Sequence, residues 1–210
     1  MKGNIKKLAV FVIITAIAMF MVGMASAGNN NSVTGEYAVT GGMSCLVATS
    51  GFTTNFTPND PASAASNSIT FQGISTFERH GRGRLETIGV QITPSPVPSP
   101  QIPHANAFHF SFTFTYDVAD DGTITIDADE NSFQVKYDTG PPFTGATFTA
   151  DKYSLSGLVS ADHKTLTLGP PTTLIQTSTF QPPLVFAFQM ICNGSYVFTR
   201  LGGKLPEMSQ

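Results

Sequence analysis

Tryptophan is absent from this chain of 210 residues, charged side chains make up 12 % of it, and it holds two cysteines. Each scarcity excludes something. Three of the eleven basic residues, Lys2, Lys6 and Lys7, fall in the first stretch, so eight face fourteen acidic ones in the remainder, a formal charge of −6. Generic nucleic-acid binding is excluded, because phosphate affinity needs a basic surface. No Cys-x-x-Cys spacing supports redox work. His80, His104, His109 and His163 stand in separate segments without metal-ligand spacing, whereas zinc needs three or four ligands. No serine sits in a nucleophile elbow and no Cys-His arrangement is recognisable. Nothing implies a cofactor or a catalytic residue, although a motif-poor isomerase or cyclase working by shape inside a barrel would leave no such signature.

Helical periodicity is also missing beyond the first 27 residues. Those residues read as a processing segment: a cationic start, an apolar run from Leu8 to Val22, and the small-residue site Ala25-Ser26-Ala27. The run is short for a bilayer span, and no cysteine at the cleavage site carries a lipid. The expectation is a secreted or periplasmic protein of one domain, residues 28–210, without stable membrane insertion once the leader is removed.

What is present is alternation. Phe108, Phe110, Phe112, Phe114 and Tyr116 are separated by His109, Ser111, Thr113 and Thr115, which is the period of a strand with one apolar face. That face must be covered, because each ring left in water forfeits roughly 1.5–3 kcal/mol. Similar alternation runs through Gly35 to Val47, bent at Gly41-Gly42, and through Ser68 to Glu78. In Arg84 to Thr93 it predicts Ile88, Val90 and Ile92 on a buried face. Shorter candidates lie at 123–127, 133–137, 146–149, 153–159, 165–168 and 172–179. Phe52 to Asn67 reads as a long loop, and Pro94 to Pro103, with five prolines, as an extended connection.

Asn193-Gly194 is the strongest short hairpin dipeptide, and predicts that Leu184 to Cys192 pairs with Ser195 to Leu201. That register sets Phe186, Phe188, Met190, Cys192, Val197 and Leu201 on one inward surface and Arg200 on the opposite face. Cys192 then pairs with Cys45 across the first and last strands. In an exported chain an even pair is most simply a disulfide, the alternative being two free thiols or a redox pair. Strands at this spacing, tied first to last, point to an all-β antiparallel meander closed into a barrel, with a β-sandwich as the alternative.

Gly35-x-Tyr37, Cys45-Leu46-Val47, Gly81-Arg82-Gly83, Asp121-Gly122-Thr123, Leu158-Val159-Ser160, Lys164-Thr165-Leu166-Thr167-Leu168 and Cys192, in that order, resemble a group of small exported bacterial β-barrel proteins of no assigned function. Gly35-x-Tyr37 at the start of a barrel, with Arg200 at its end, also resembles the lipocalin or calycin pattern, in which a tryptophan takes the place of Tyr37. That resemblance implies a barrel that holds a ligand.

The expected function is therefore binding of a small apolar ligand, with Phe108, His109, Phe110, Phe112 and Phe114 as lining and Arg82, in the Arg79–Arg84 turn, as an anion contact at the mouth. The plainer reading of the strip is a filled core. Asp127-x-Asp129-x-Asn131 imitates the start of a calcium loop, but Ser132 stands where the loop needs glycine, so no metal is expected. A structural or adhesive envelope protein is the alternative function, and oligomeric state is left open.

Overall fold

A computed structural model describes residues 30–94, 104–140, 143–170, 174–182 and 185–202. The leader at 1–27 and most of the proline-rich connection, residues 95–103, lie outside the described residues. Eleven strands follow one another: β1 (Gly35–Ala48), β2 (Ala64–Glu78), β3 (Arg82–Thr93), β4 (His104–Val118), β5 (Thr123–Ala128), β6 (Gln134–Thr139), β7 (Thr147–Ala150), β8 (Ser154–Val159), β9 (Thr165–Gly169), β10 (Gln176–Phe180) and β11 (Ala187–Arg200). The only helical pieces among the described residues are single 3-10 turns at Asn30–Val33 and Pro61–Ser63, and no helix there is long and apolar enough to cross a membrane.

All pairings are antiparallel, and β1-β2-β3-β4-β5-β8-β9-β11 close into a barrel-like ring of eight through the β1–β11 ladder. The meander holds for five strands and then changes. β5 has 6 residues against 15 in β4, so it covers Phe114 to Val118 and leaves the rest of that edge open. Backbone donors and acceptors there need a partner. β6 supplies it by returning to pair with Ala107 to Ser111. β11 forks likewise, with β9 on Tyr196 to Thr199 and β10 on Ala187 to Met190. The ring thus has a shared wall of long strands, completed by β5, β8 and β9 at one end and by β6, β7 and β10 at the other.

The aromatic strip of β4 points inward along its whole length. Two other faces differ from expectation. Ile88, Val90 and Ile92 project outward, Ile92 with 54 % of its surface exposed, while Gly83, Leu85, Thr87, Gly89 and Gln91 face in. The cause is close packing across strands. A Cβ on Gly83 would stand 2.4 Å from Phe114 Cζ, and one on Gly89 2.6 Å from Phe108 Cζ. Rings from β4 lie over bare backbone in β3 and supply the bulk that its own inner face lacks.

Asn193-Gly194 forms no hairpin. β11 runs straight through it, with Ser44 opposite Asn193 and Met43 opposite Gly194 in an unbroken ladder with β1. Gly194 has no positive φ of the kind such a turn requires, and it is pressed against β1, where an added Cβ would lie 2.4 Å from Gly42 O. Without the turn, even-numbered residues stay on one face. Phe188, Tyr196 and Phe198 are buried, Arg200 shares their side, and Val197 faces solvent. Gly41-Gly42 also lies in continuous register, so β1 has no bulge there.

Cys45 and Cys192 are direct partners on β1 and β11 and form a disulfide across 147 positions. It crosslinks the ladder that closes the ring, and the chain-entropy model assigns such a loop roughly 5 kcal/mol at most.

One end of the ring is solid. Phe77 stands at its centre, with Tyr37, Phe114 and Tyr116 at centroid distances of 5.2, 5.3 and 5.0 Å. Ile124, Ile126, Leu155 and Leu166 fill in around them. The 3-10 turn at Asn30–Val33 closes this end. Val33 is buried, Asn30 Oδ1 accepts the Val118 N–H at 2.8 Å, and the Tyr116 hydroxyl reaches Glu78 O at 2.6 Å.

Candidate functional site

The other end is hollow. Between β1 to β4 on one side and β6, β7, β10 and β11 on the other lies a cavity of about 480 Å³. That volume falls within the usual range for small-molecule sites. The strand alternation builds its walls: Phe108 and Phe110 from β4, Val135 and Tyr137 from β6, Phe148 from β7, Phe180 from β10, and Phe188 and Met190 from β11. Phe133, Phe143, Tyr153 and Phe186 enter from the connecting segments, giving ten aromatic rings in all. The disulfide and Met43 complete the β1–β11 side.

Many of these rings lie nearly parallel to a neighbour. Phe143 stacks on Phe180 at 5.2 Å and 19°, Phe180 on Phe186 at 4.6 Å and 29°, and Phe110 on Phe133 at 6.0 Å and 26°. The floor is Tyr153, 4.8 Å from Phe133 and 5.1 Å from Phe112. Its hydroxyl hydrogen-bonds the hydroxyl of Tyr196, which joins the hollow half to the solid one.

A polar ladder climbs one wall. The Tyr137 hydroxyl donates to Gln91 Oε1 at 3.0 Å, Gln91 Nε2 donates to Thr93 Oγ1 at 3.3 Å, and Thr93 Oγ1 donates to Asn67 Oδ1 at 3.0 Å. Tyr137 and Gln91 are buried, so the bond between them satisfies groups that would otherwise be costly in an apolar wall. Burial pushes the phenols of Tyr137 and Tyr153 well above their usual range, so both stay protonated. Among the described residues no charged side chain lines the cavity.

At the rim, Thr49 and Ala62 to Ala65 edge the opening. The loop between them is fixed by Phe52 N–H donating to Gln189 Oε1 at 2.8 Å and by the Asp60 cap on Ala62 N–H at 3.0 Å.

The residues expected from the sequence are distributed as follows. Phe108 and Phe110 line the cavity. Phe112 and Phe114 share their face but lie deeper, Phe112 beneath Tyr153 and Phe114 against Phe77. His109 is on the outer surface, 60 % exposed, with Nδ1 2.5 Å from Asp138 Oδ2. Arg82 is exposed beside the β2–β3 turn, which packs at the plugged end through the Tyr116 N–H bond to Gly81 O at 2.8 Å. Neither reaches the cavity.

Asp127 and Asp129 are turned to separate partners, accepting from Ser154 Oγ and Thr113 Oγ1 at 2.5 and 2.6 Å. Among the described residues no group of three His, Cys, Asp or Glu is placed to hold a metal ion. The inward placement of Phe186, Phe188, Met190 and Cys192 was expected; sequence reasoning missed that they meet β6, β7 and β10 around a cavity, and it missed the ladder from Gln91 to Asn67. Its one available signal was Gln91 and Thr93, which share a parity with Leu85.

Neither the models of known protein families nor the curated proteins contain a match to this chain.

Proposed function

We propose that the protein is an exported binding module that holds one small apolar molecule in the hollow end of the ring. The observation that carries this reading is the asymmetry of the interior: a solid aromatic and aliphatic core at the plugged end, and a cavity of about 480 Å³ lined by ten aromatic rings at the other. A protein that needed only a core would gain from filling that space, since cavities destabilise.

The calycin-like reading is supported by the ring of eight strands and by Arg200, whose guanidinium lies over the Tyr37 ring near the start of β1. Export is supported by the Met1–Ala27 leader and by the Cys45–Cys192 disulfide, a bond that persists in oxidising compartments. Association through strand edges, the structural or adhesive alternative, finds little purchase on a ring whose long strands are all paired.

The test is native mass spectrometry of mature protein from its own source, beside a denatured, non-reduced sample. A discrete extra mass in the native sample alone is expected. A bare monomer that also gains no thermal stability from any lipophile overturns the reading.

A further inference from the structure

We infer that the cavity selects an uncharged lipophile with a flat aromatic or conjugated body and one oxygen acceptor, which Asn67 Nδ2 holds. This rests on the binding reading above and narrows it to a ligand class.

The first support is electrostatic. An ion entering the cavity exchanges water for rings, thioethers, a disulfide and a few neutral polar groups, and no described lining residue carries a compensating charge. The tyrosines that could become anionic partners for a cation are held protonated by burial. Ring faces attract cations, but without a carboxylate in the wall that attraction stands alone against desolvation.

The second support is shape. Ten aromatic rings line the cavity, and such walls favour a planar aromatic or conjugated guest, which meets them in offset-stacked and edge-to-face contacts.

The third is the direction of the polar ladder. Every bond in it runs the same way, from Tyr137 through Gln91 and Thr93 to the Asn67 carbonyl. Asn67 spends its acceptor on Thr93 and keeps its amide donors, which have no protein partner among the described residues. A carbonyl, ether or hydroxyl oxygen on the guest completes the ladder, because an amide N–H facing an apolar guest loses its hydrogen bond to water.

The experiment uses mature, disulfide-intact protein and paired fluorescent probes, in a chain whose lack of tryptophan leaves the spectrum clear. N-phenyl-1-naphthylamine should bind at least tenfold more tightly than its sulfonated analogue 8-anilinonaphthalene-1-sulfonate. Diphenylhexatriene should likewise exceed its trimethylammonium derivative. The ketone 6-propionyl-2-dimethylaminonaphthalene should lose at least fivefold more affinity in Asn67→Leu than N-phenyl-1-naphthylamine does. In the unaltered protein the carbonyl stretch of the bound ketone should lie below its position in hexane, a readout that does not depend on the variant folding.

Charged and neutral probes binding equally would overturn the inference and leave the binding reading standing. A carbonyl stretch at its hexane position would overturn the role of Asn67. Failure of every probe to bind would remove the binding reading itself, and this inference with it.

Discussion

Arg200 and Tyr37 are direct partners on β11 and β1, and the guanidinium sits 5.9 Å above the centre of the phenol ring. The same guanidinium donates to the carbonyls of Thr34 and Ser32, so one side chain ties the last strand to the first and to the segment that plugs the ring. Arg200→Ala removes a cation–π contact and charge-assisted bonds, an expected loss of about 2–3 kcal/mol in urea unfolding. Arg200→Lys should recover less than half of it, because an ammonium cannot span both carbonyls and the ring.

The disulfide stabilises the same seam. Intact mature protein should show a mass two hydrogen atoms below the dithiol form, and Cys45→Ser with Cys192→Ser should lower stability by up to about 5 kcal/mol in denaturant titration. Cys192 also lines the cavity, so probe affinity should fall in the double variant under conditions where it is still folded.

Two glycines separate stability from binding. Gly83→Ala drives a methyl into Phe114 at the solid end and should cost about 1–3 kcal/mol with probe affinity retained in the folded fraction. Gly89→Ala drives one into Phe108, a cavity wall, and should weaken probe binding as well. Equal binding losses in both would show that the two ends of the ring are not independent.

Deletion of a ring tests the same division from the opposite side. Phe77→Ala opens the solid core and should cost about 3–5 kcal/mol. Phe143→Ala alters a half-buried wall residue, so its larger effect should be on probe affinity. Unfolding midpoints and titrations on the same preparations compare the two.

Alkaline pH tests the burial of the phenols. All five tyrosines have ionisations raised by burial from their usual value near 10. The unfolded chain loses these protons first, so this part of the stability is complete below pH 10 and is lost as pH rises from there through the raised values. The denaturant midpoint should fall above pH 10, and tyrosinate absorbance near 295 nm should rise with unfolding rather than before it.

The strip from Phe108 to Tyr116 and the Cys45–Cys192 pairing were legible because long strands repeat their period many times and the crosslink joins two such strands. The face of β3 was not, because its inner bulk belongs to Phe108 and Phe114 from the next strand and its own inner positions include glycine. The Asn193-Gly194 dipeptide misled for a related reason: local turn preference was overridden by a ladder with β1 running from Tyr37 to Ala48. Half of the cavity was hidden because β6, β7 and β10, 4 to 6 residues long, join through forks on β4 and β11 that a meander read in chain order does not contain.

The forks in β4 and β11 give the molecule two storeys on shared posts. The lower storey, with its plug and dense aromatic packing, carries the foundation; the upper one, built from three short strands, furnishes the room. Substitutions in β6, β7 and β10 can therefore reshape the room while the foundation is left alone, so that one inheritable scaffold can carry rooms of different form through changes in its shortest strands.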